Sequence, residues 1–308
     1  MKDEKIRFSI IIALAPDRKP EVVESLKELD YQKGAYEIIV EKGDNTSENR
    51  NRGVKRARGE IVAFIDSDAM VDREWLKNAE DFFSNHPEVD ILGGPQLTPE
   101  SDSLFGKISG YALGSLFGGA VVRNRYRKGK MNMASDEREL SSANLFCRKK
   151  VLADILFNPR FWPGEDPEFF NQCQERGFRI AYAPQIVVYH KRRGSLFSFA
   201  RQIFRYAYVR PKVKKTKKRR FYSFLFYVPA LFFCYLLLLP FLYDINRLFI
   251  MPLYFYLILN FAFAAGIGVK QKSLSALLRL PLIFLIIHLA YGAGIIFGML
   301  ERNGKTAD

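Results

Sequence analysis

Apolar and polar positions follow two regimes along this chain. Up to about residue 210, short apolar runs alternate with polar stretches of helical spacing. From Phe221 onward the apolar residues gather into long blocks. In the first regime, Phe8 to Leu14 predicts a buried strand ending near Pro16, and Glu21 to Leu29 predicts a helix. Glu37-Ile38-Ile39-Val40 is a second strand, Gly43 to Ser47 a turn cluster, and Arg50 to Ala57 a second helix. Ile61 to Ile65, apolar, β-branched and aromatic, is a third strand in a buried core. Strand, helix, strand, helix, strand is the alternation of a parallel sheet, so this part reads as α/β with nucleotide-binding character. No G-x-x-x-x-G-K-[ST] or G-x-G-x-x-G is present, so neither a P-loop nor a dinucleotide fingerprint is indicated.

In the second regime three segments, about Tyr222–Tyr243, Leu248–Val269 and Leu280–Leu300, each approach the roughly 20 residues that a spanning helix needs. They read as transmembrane helices. The formal net charge of +14 is partly concentrated in Lys212 to Arg220, just before the first of them. Nucleic-acid binding is the rival explanation of such a cluster, but its juxtamembrane place fits the positive-inside rule and anionic headgroups better. Lys270, Lys272 and Arg279 follow the second segment, against Asp244 and Arg247 after the first, which predicts a cytosolic N-terminal part and an external C-terminal tail. Met1 to Lys5 leads into a strand without the look of a signal peptide. Cys147, Cys173 and Cys234 have no metal-type spacing and suggest neither disulfides nor zinc.

The central strand ends in Asp66-Ser67-Asp68. Carboxylates at i and i+2 of an extended backbone point to one side, at the strand end where open α/β sheets place ligands. Paired hard oxygens suit Mg²⁺ or Mn²⁺, which in turn hold a diphosphate. A polar strand-to-helix turn, with an aspartate capping the helix that begins near Asp72, explains the same residues.

With the opening strand Ser9-Ile10-Ile11-Ile12, the strand Glu37 to Val40, Arg50-Asn51-Arg52-Gly53 through Glu60, Asp66-Ser67-Asp68, Gly164-Glu165-Asp166-Pro167-Glu168-Phe169 and Gly177-Phe178-Arg179-Ile180, the chain resembles a family 2 glycosyltransferase. The resemblance covers about residues 6–210. Its C-terminal part, with Gln202-Ile203-Phe204-Arg205-Tyr206, three spans and His288 to Gly294, resembles the membrane-anchored succinoglycan-biosynthesis type. The resemblance implies a GT-A nucleotide-sugar-binding domain with a Rossmann-like mixed sheet, followed by a C-terminal transmembrane helical region. The implied boundaries are 1–210 for the cytosolic domain, 211–221 for a basic linker, 222–300 for the spans and 301–308 for a tail. It also implies inverting, metal-dependent transfer from a nucleoside-diphosphate sugar, a UDP-sugar first, to a lipid-linked saccharide during cell-surface or exopolysaccharide assembly at the plasma membrane. Membrane lipids are an implied partner, and nucleic acid is not.

On that reading Asp68 binds Mn²⁺ or Mg²⁺, and Asp66 supports the metal or the ribose. His190 ends a strand predicted at Ile186-Val187-Val188-Tyr189; the resemblance directs it to the same metal or diphosphate, and simple hydrogen bonding at a strand end explains it as well. Arg50 and Arg52 are candidates for the diphosphate, or solvated helix positions. Glu41-Lys42 stands where many relatives have two aspartates, leaving Glu41 to accept from a base N–H. Asp166 is favoured over Glu165 as general base; it also suits an N-cap, with Pro167 opening the helix. Gln202, Arg205 and Tyr206 match a donor- or acceptor-side motif in which processive synthases carry tryptophan at the last place. The glycine-rich stretch Leu104–Gly119 and the basic, amphipathic Leu196–Tyr206 are interfacial or packed in a core, and His288 reads as a helix–helix hydrogen bond. The rival readings are a polyprenyl-phosphate sugar synthase, although Ala69-Met70-Val71-Asp72 differs from the H-P-P-E-like continuation of those enzymes, and an inactive membrane scaffold of the same fold.

Overall fold

The computed structural model describes residues 6–161, 164–212 and 224–304, with the side chains of 302–304 left aside. Nearly all of the basic cluster after Lys212, Pro163, the start of the first predicted span and the last four residues lie outside them. The strands are β1 (Phe8–Leu14), β2 (Tyr36–Lys42), β3 (Ile61–Asp66), β4 (Ala69–Val71), β5 (Ile91–Gly93), β6 (Gln96–Leu97), β7 (Asn144–Arg148), β8 (Ile180–Tyr182) and β9 (Val188–His190). The helices before the apolar region are α1 (Val22–Lys27), α2 (Thr46–Arg56), α3 (Trp75–Asn85), α4 (Leu104–Gly114), α5 (Leu116–Gly119), α6 (Lys149–Asp154), α7 (Glu165–Glu175) and α8 (Leu196–Val209). The chain divides into two compact units, residues 1–99 with 124–191, and residues 100–123 with 192–308.

In the first unit, six strands form a mixed sheet in the order β2-β1-β3-β7-β5-β8. β1 runs parallel to β2 and β3, whereas β7 is antiparallel to both β3 and β5. Successive residues of β1 and β3 serve opposite faces of this sheet. Phe8, Ile10, Ile12, Ala63 and Ile65 join Trp75, Leu76 and Phe146 on one side; Ile11, Val62 and Phe64 join Leu145, Phe157 and Phe169 on the other. That explains why the strands read as unbroken apolar runs: both faces are covered. Gly53 lets α2 lie directly on β1, since a Cβ there would come within 2.5 Å of Ile11 Cγ2. A second sheet, β4-β9-β6, pairs Ala69 with His190 and so returns the end of β9 to the acidic loop. The strand predicted at Ile186–Tyr189 begins only at Val188 and runs to His190, because Ile186 N turns back to Ala183 O before pairing begins.

In the second unit, the helices Val228–Ile245, Met251–Lys270 and Leu274–Gly304 are long and apolar enough to cross a membrane. The third begins six residues before the predicted Leu280, carrying Pro281 inside it; Asn260 of the second helix donates to the Pro281 carbonyl at 3.1 Å. The stretch Leu104–Gly119 packs with these helices, its Phe117 ring stacked on Phe263 at 5.1 Å and edge-on to Phe284. His288 bridges elements, as its position in an apolar helix predicts: Nε2 donates to the Phe117 carbonyl at 2.9 Å and Nδ1 meets the Tyr256 hydroxyl at 3.0 Å. α8 lies along the third helix, where Gly294 and Gly298 admit the carbonyls of Phe204 and Tyr208. Cys147, Cys173 and Cys234 are free thiols, the first two buried.

Candidate active site

The site forms where β1, β2 and β3 end together. Register places Ala13 opposite both Glu41 and Asp66, so the three strands deliver their carboxyl ends to one edge. Asp66 closes β3 and Asp68 follows in the turn to β4. The β4–β9 pairing then sets His190 beside them, with Nε2 3.1 Å from Asp68 Oδ1 and 3.6 Å from Asp66 Oδ2. His190 Nδ1 donates to the Lys191 carbonyl at 2.9 Å, which leaves Nε2 turned to the carboxylates. Arg18, in the loop after β1, reaches Asp68 Oδ2 at 3.0 Å. The His190 hydrogen bond, with Arg18 beyond it, holds Asp68 well below the usual carboxylate range. Burial works against the imidazolium, but hydrogen bonds to Asp66 and Asp68 outweigh it and push His190 up to about 10.

These three residues meet the requirement for a divalent ion. Each offers one ligand atom, and the atoms lie within 4.8 Å of one another. Two carboxylates and an imidazole with its far nitrogen fixed by a backbone carbonyl suit Mn²⁺ at least as well as Mg²⁺.

The second acidic motif joins the first through Arg50. This arginine is buried on α2, donates to Glu165 Oε1 at 2.8 Å, lies 3.5 Å from Asp66 Oδ1, and covers the Phe157 ring at 5.2 Å. A solvated position for Arg50 is therefore excluded; Arg52 instead pairs with Glu41 at 3.2 Å, and Arg56 takes the other oxygen of Glu41 at 2.6 Å. Glu165 is occupied on both oxygens, the second accepting from Gly164 N at 2.9 Å. Asp166 differs. Its Oδ2 accepts from Ser142 N at 3.2 Å, while Oδ1 is shut off from solvent with no hydrogen-bond partner among the described residues. Burial, then the charge of Glu165, raise the Asp166 pKa; Arg50, Ser142 and Arg125 pull it the other way.

Asp166 does not cap α7, and Pro167 does not open it. Gly164, at φ 126°, turns the chain so that the helix starts at Glu165, two residues earlier than predicted. Gln202, Arg205 and Tyr206 lie on α8 in the second unit. Gln202 Nε2 donates to the Tyr206 hydroxyl at 3.0 Å, and Arg205 lines an open cavity of about 580 Å³ with Phe197, Arg201, Phe204 and Tyr208. Sequence reasoning passed over Arg18 and Ser142, whose only signal is a place in loops at strand ends. It also passed over Asn144, a buried hub that accepts from Trp75 Nε1 at 2.9 Å and donates to the Ile186 carbonyl at 2.7 Å.

A mixed sheet that delivers an aspartate pair to the carboxyl edge of its central strand, under helices on both faces, is a GT-A-like fold. Residues 61–296 match the family described as "Glycosyl transferase family group 2", and the chain belongs to it. It is 26% identical over 199 residues to the minor teichoic acid biosynthesis protein GgaA of Bacillus subtilis (strain 168), covering 62% of this chain and 41% of that protein. It is also 26% identical over 188 residues to the poly-beta-1,6-N-acetyl-D-glucosamine synthase of Staphylococcus aureus (strain COL), covering 60% of this chain and 42% of that protein. The chain thus spans about two fifths of the length of these curated relatives. The mannosyltransferase PcManGT from Pyrobaculum calidifontis, solved in complex with GDP-Man and Mn²⁺, superposes with a TM-score of 0.55 at 14% identity over 96% of this chain and 87% of that one, a likeness of fold.

Proposed function

We propose that this protein transfers a sugar, with inversion, from a nucleoside-diphosphate sugar to a hydroxyl of a lipid-linked saccharide. The observation that carries the reading is the pairing of two acidic motifs through buried Arg50, with one carboxylate oxygen of Asp166 sealed and unclaimed. In the proposed step the acceptor oxygen bonds to the anomeric carbon as its proton passes to Asp166. The bond from that carbon to the diphosphate breaks, and the electron pair leaves on the nucleoside diphosphate. Arg50 and the Gly164 N–H hold both oxygens of Glu165 in place, so that Asp166, not Glu165, is the base. Asp66, Asp68 and His190 would hold a divalent ion, which when bound neutralises charge on the departing diphosphate. UDP-sugars are the donors to test first, with Glu41 at the base side and Gln202, Arg205 and Tyr206 at the donor or acceptor side. The apolar helices support a multi-pass place in the plasma membrane with the catalytic unit cytosolic.

Single-turnover transfer beside donor affinity tests this. Asp166→Asn is expected to cut transfer by about 10²–10⁴-fold while leaving donor affinity close to that of the unaltered protein. Glu165→Gln should be milder. Near-normal transfer by Asp166→Asn would place the base elsewhere. An unaltered protein that neither transfers sugar nor releases nucleotide would favour the inactive scaffold.

A further inference from the structure

The loop from Asn124 to Met133, in the first unit, carries Arg125, Arg127, Lys128 and Lys130, and none of the four is ion-paired among the described residues. That is a choice of the fold and not a shortage of acids. Glu139 lies against this loop and spends its carboxylate on neutral groups: Asn124 Nδ2 at 2.8 Å, Asn132 Nδ2 at 2.6 Å and the Ser135 hydroxyl at 2.9 Å. Asp136 is taken by Arg138. The loop is also held firmly. The buried Tyr182 hydroxyl accepts from Gly129 N at 2.9 Å and donates to the Arg127 carbonyl at 3.1 Å, while the Tyr182 backbone pairs with Asn132. A pinned loop with four uncompensated cations is preorganised for an anion.

Its position says which anion. The strand-end segment from Ser135 to Ser142 holds both Arg125, through the Glu137 carbonyl, and Asp166, through Ser142 N. The Arg125 charge is felt at Asp166. Arg125 Nε is shut off from solvent with no hydrogen-bond partner among the described residues, a donor without an acceptor. The cations that meet Asp66 and Asp68 are different ones, Arg50, His190 and Arg18. Arg125 therefore stands on the Asp166 side of the site.

We propose that the Arg125–Lys130 segment recognises the acceptor by a phosphate group, carried near the hydroxyl that is glycosylated, with Arg125 as its innermost contact. This rests on Asp166 being the base of the transfer proposed above. Phosphate can come from a phosphate ester within the saccharide or from the headgroup of its lipid carrier.

Binding measurements on the full chain distinguish these without requiring turnover, so they stand even if sugar transfer is not found. The probes are sn-glycerol 3-phosphate in solution and decaprenyl phosphate in phosphatidylcholine nanodiscs, with glycerol and decaprenol as neutral counterparts. The unaltered protein is expected to prefer a phosphate probe over its neutral counterpart, with affinity falling as salt rises. Arg125→Gln should weaken that binding by about ten-fold or more, and Arg125→Lys by less. Because Arg125 also anchors the Glu137 carbonyl, a second variant, Arg127→Gln with Lys128→Gln and Lys130→Gln, removes only exposed charges and should weaken binding too. UDP affinity in the presence of Mn²⁺ should be unchanged in all of them. Loss confined to glycerol 3-phosphate assigns the phosphate to the saccharide, and loss confined to the nanodisc probe assigns it to the carrier. No preference for either phosphate probe, phosphate binding indifferent to these substitutions, or loss of UDP in place of the phosphate probe would overturn the proposal.

Discussion

Arg50 and Glu165 lie 115 residues apart in the chain and 2.8 Å apart in the fold. Their pairing makes Arg50 more than a candidate contact for a leaving group. With Arg50 replaced by methionine, Glu165 would keep one backbone N–H as its partner in a buried place, a loss of about 3–5 kcal/mol for a broken buried pair. Chemical denaturation of Arg50→Met should show that loss, and an unchanged midpoint would mean that Glu165 finds water or another partner. Asp166 offers a test by pH. Burial and the Glu165 charge raise its pKa, so the protonated form is the one the fold favours. The stability due to that proton is complete below the unfolded value near 4 and is lost as pH rises through the folded one. At neutral pH the carboxylate is a burden, and Asp166→Asn should melt no lower than the unaltered protein while losing transfer. The same shift moves the acid limb of the rate profile above the range of an ordinary carboxylate, because the base must be ionised. A limb at the ordinary carboxylate value, or a lower melting temperature in Asp166→Asn, would contradict this account. The two acidic motifs, Asp66-Ser67-Asp68 and Glu165-Asp166, were legible as patterns because each is written in neighbouring residues. The bridge between them was not, since no local pattern records a long-range ion pair.

The ends of β2 and β3 position Glu41, Asp66 and Asp68, the first turn of α7 positions Glu165 and Asp166, and two elements decide how they meet. α2 must lie close on β1 for Arg50 to reach Asp66, and Gly53 permits that approach. Gly53→Val should cost about 1–3 kcal/mol by overpacking against Ile11, and should lower the melting temperature and the yield of folded protein. If both are unchanged, α2 has room that the Ile11 contact denies. The short β4–β9 pairing is the other element, because it alone brings His190 to the carboxylates. Strands of three residues have too little periodicity to be read with a register, which is why His190 could be named from the sequence only by resemblance. The start of α7 was misplaced for a related reason. A proline inside the first turn suits several positions, and the positive φ of Gly164 chose among them.

At the scale of the whole molecule, the lysine and arginine asymmetry around the apolar helices makes a topological prediction. Reporter fusions after Asp244 and at the C-terminus should both report from the external side, and cytosolic signals from both would end the three-span arrangement. The sequence by itself determined the α/β alternation, the three long apolar helices and the two acidic motifs. Each is written in local periodicity and composition, and burial on both sheet faces or along a full helix demands that pattern wherever it occurs. Tertiary structure decided the rest. It alone showed that Leu104–Gly119 packs with the apolar helices, where Phe117 meets Phe263, Phe284 and His288. It alone separated a fully engaged Glu165 from an Asp166 with a sealed, unclaimed oxygen. These are properties of contacts between residues distant in the chain, fixed by packing and by the need of buried polar groups for partners, and neighbouring letters carry no record of them.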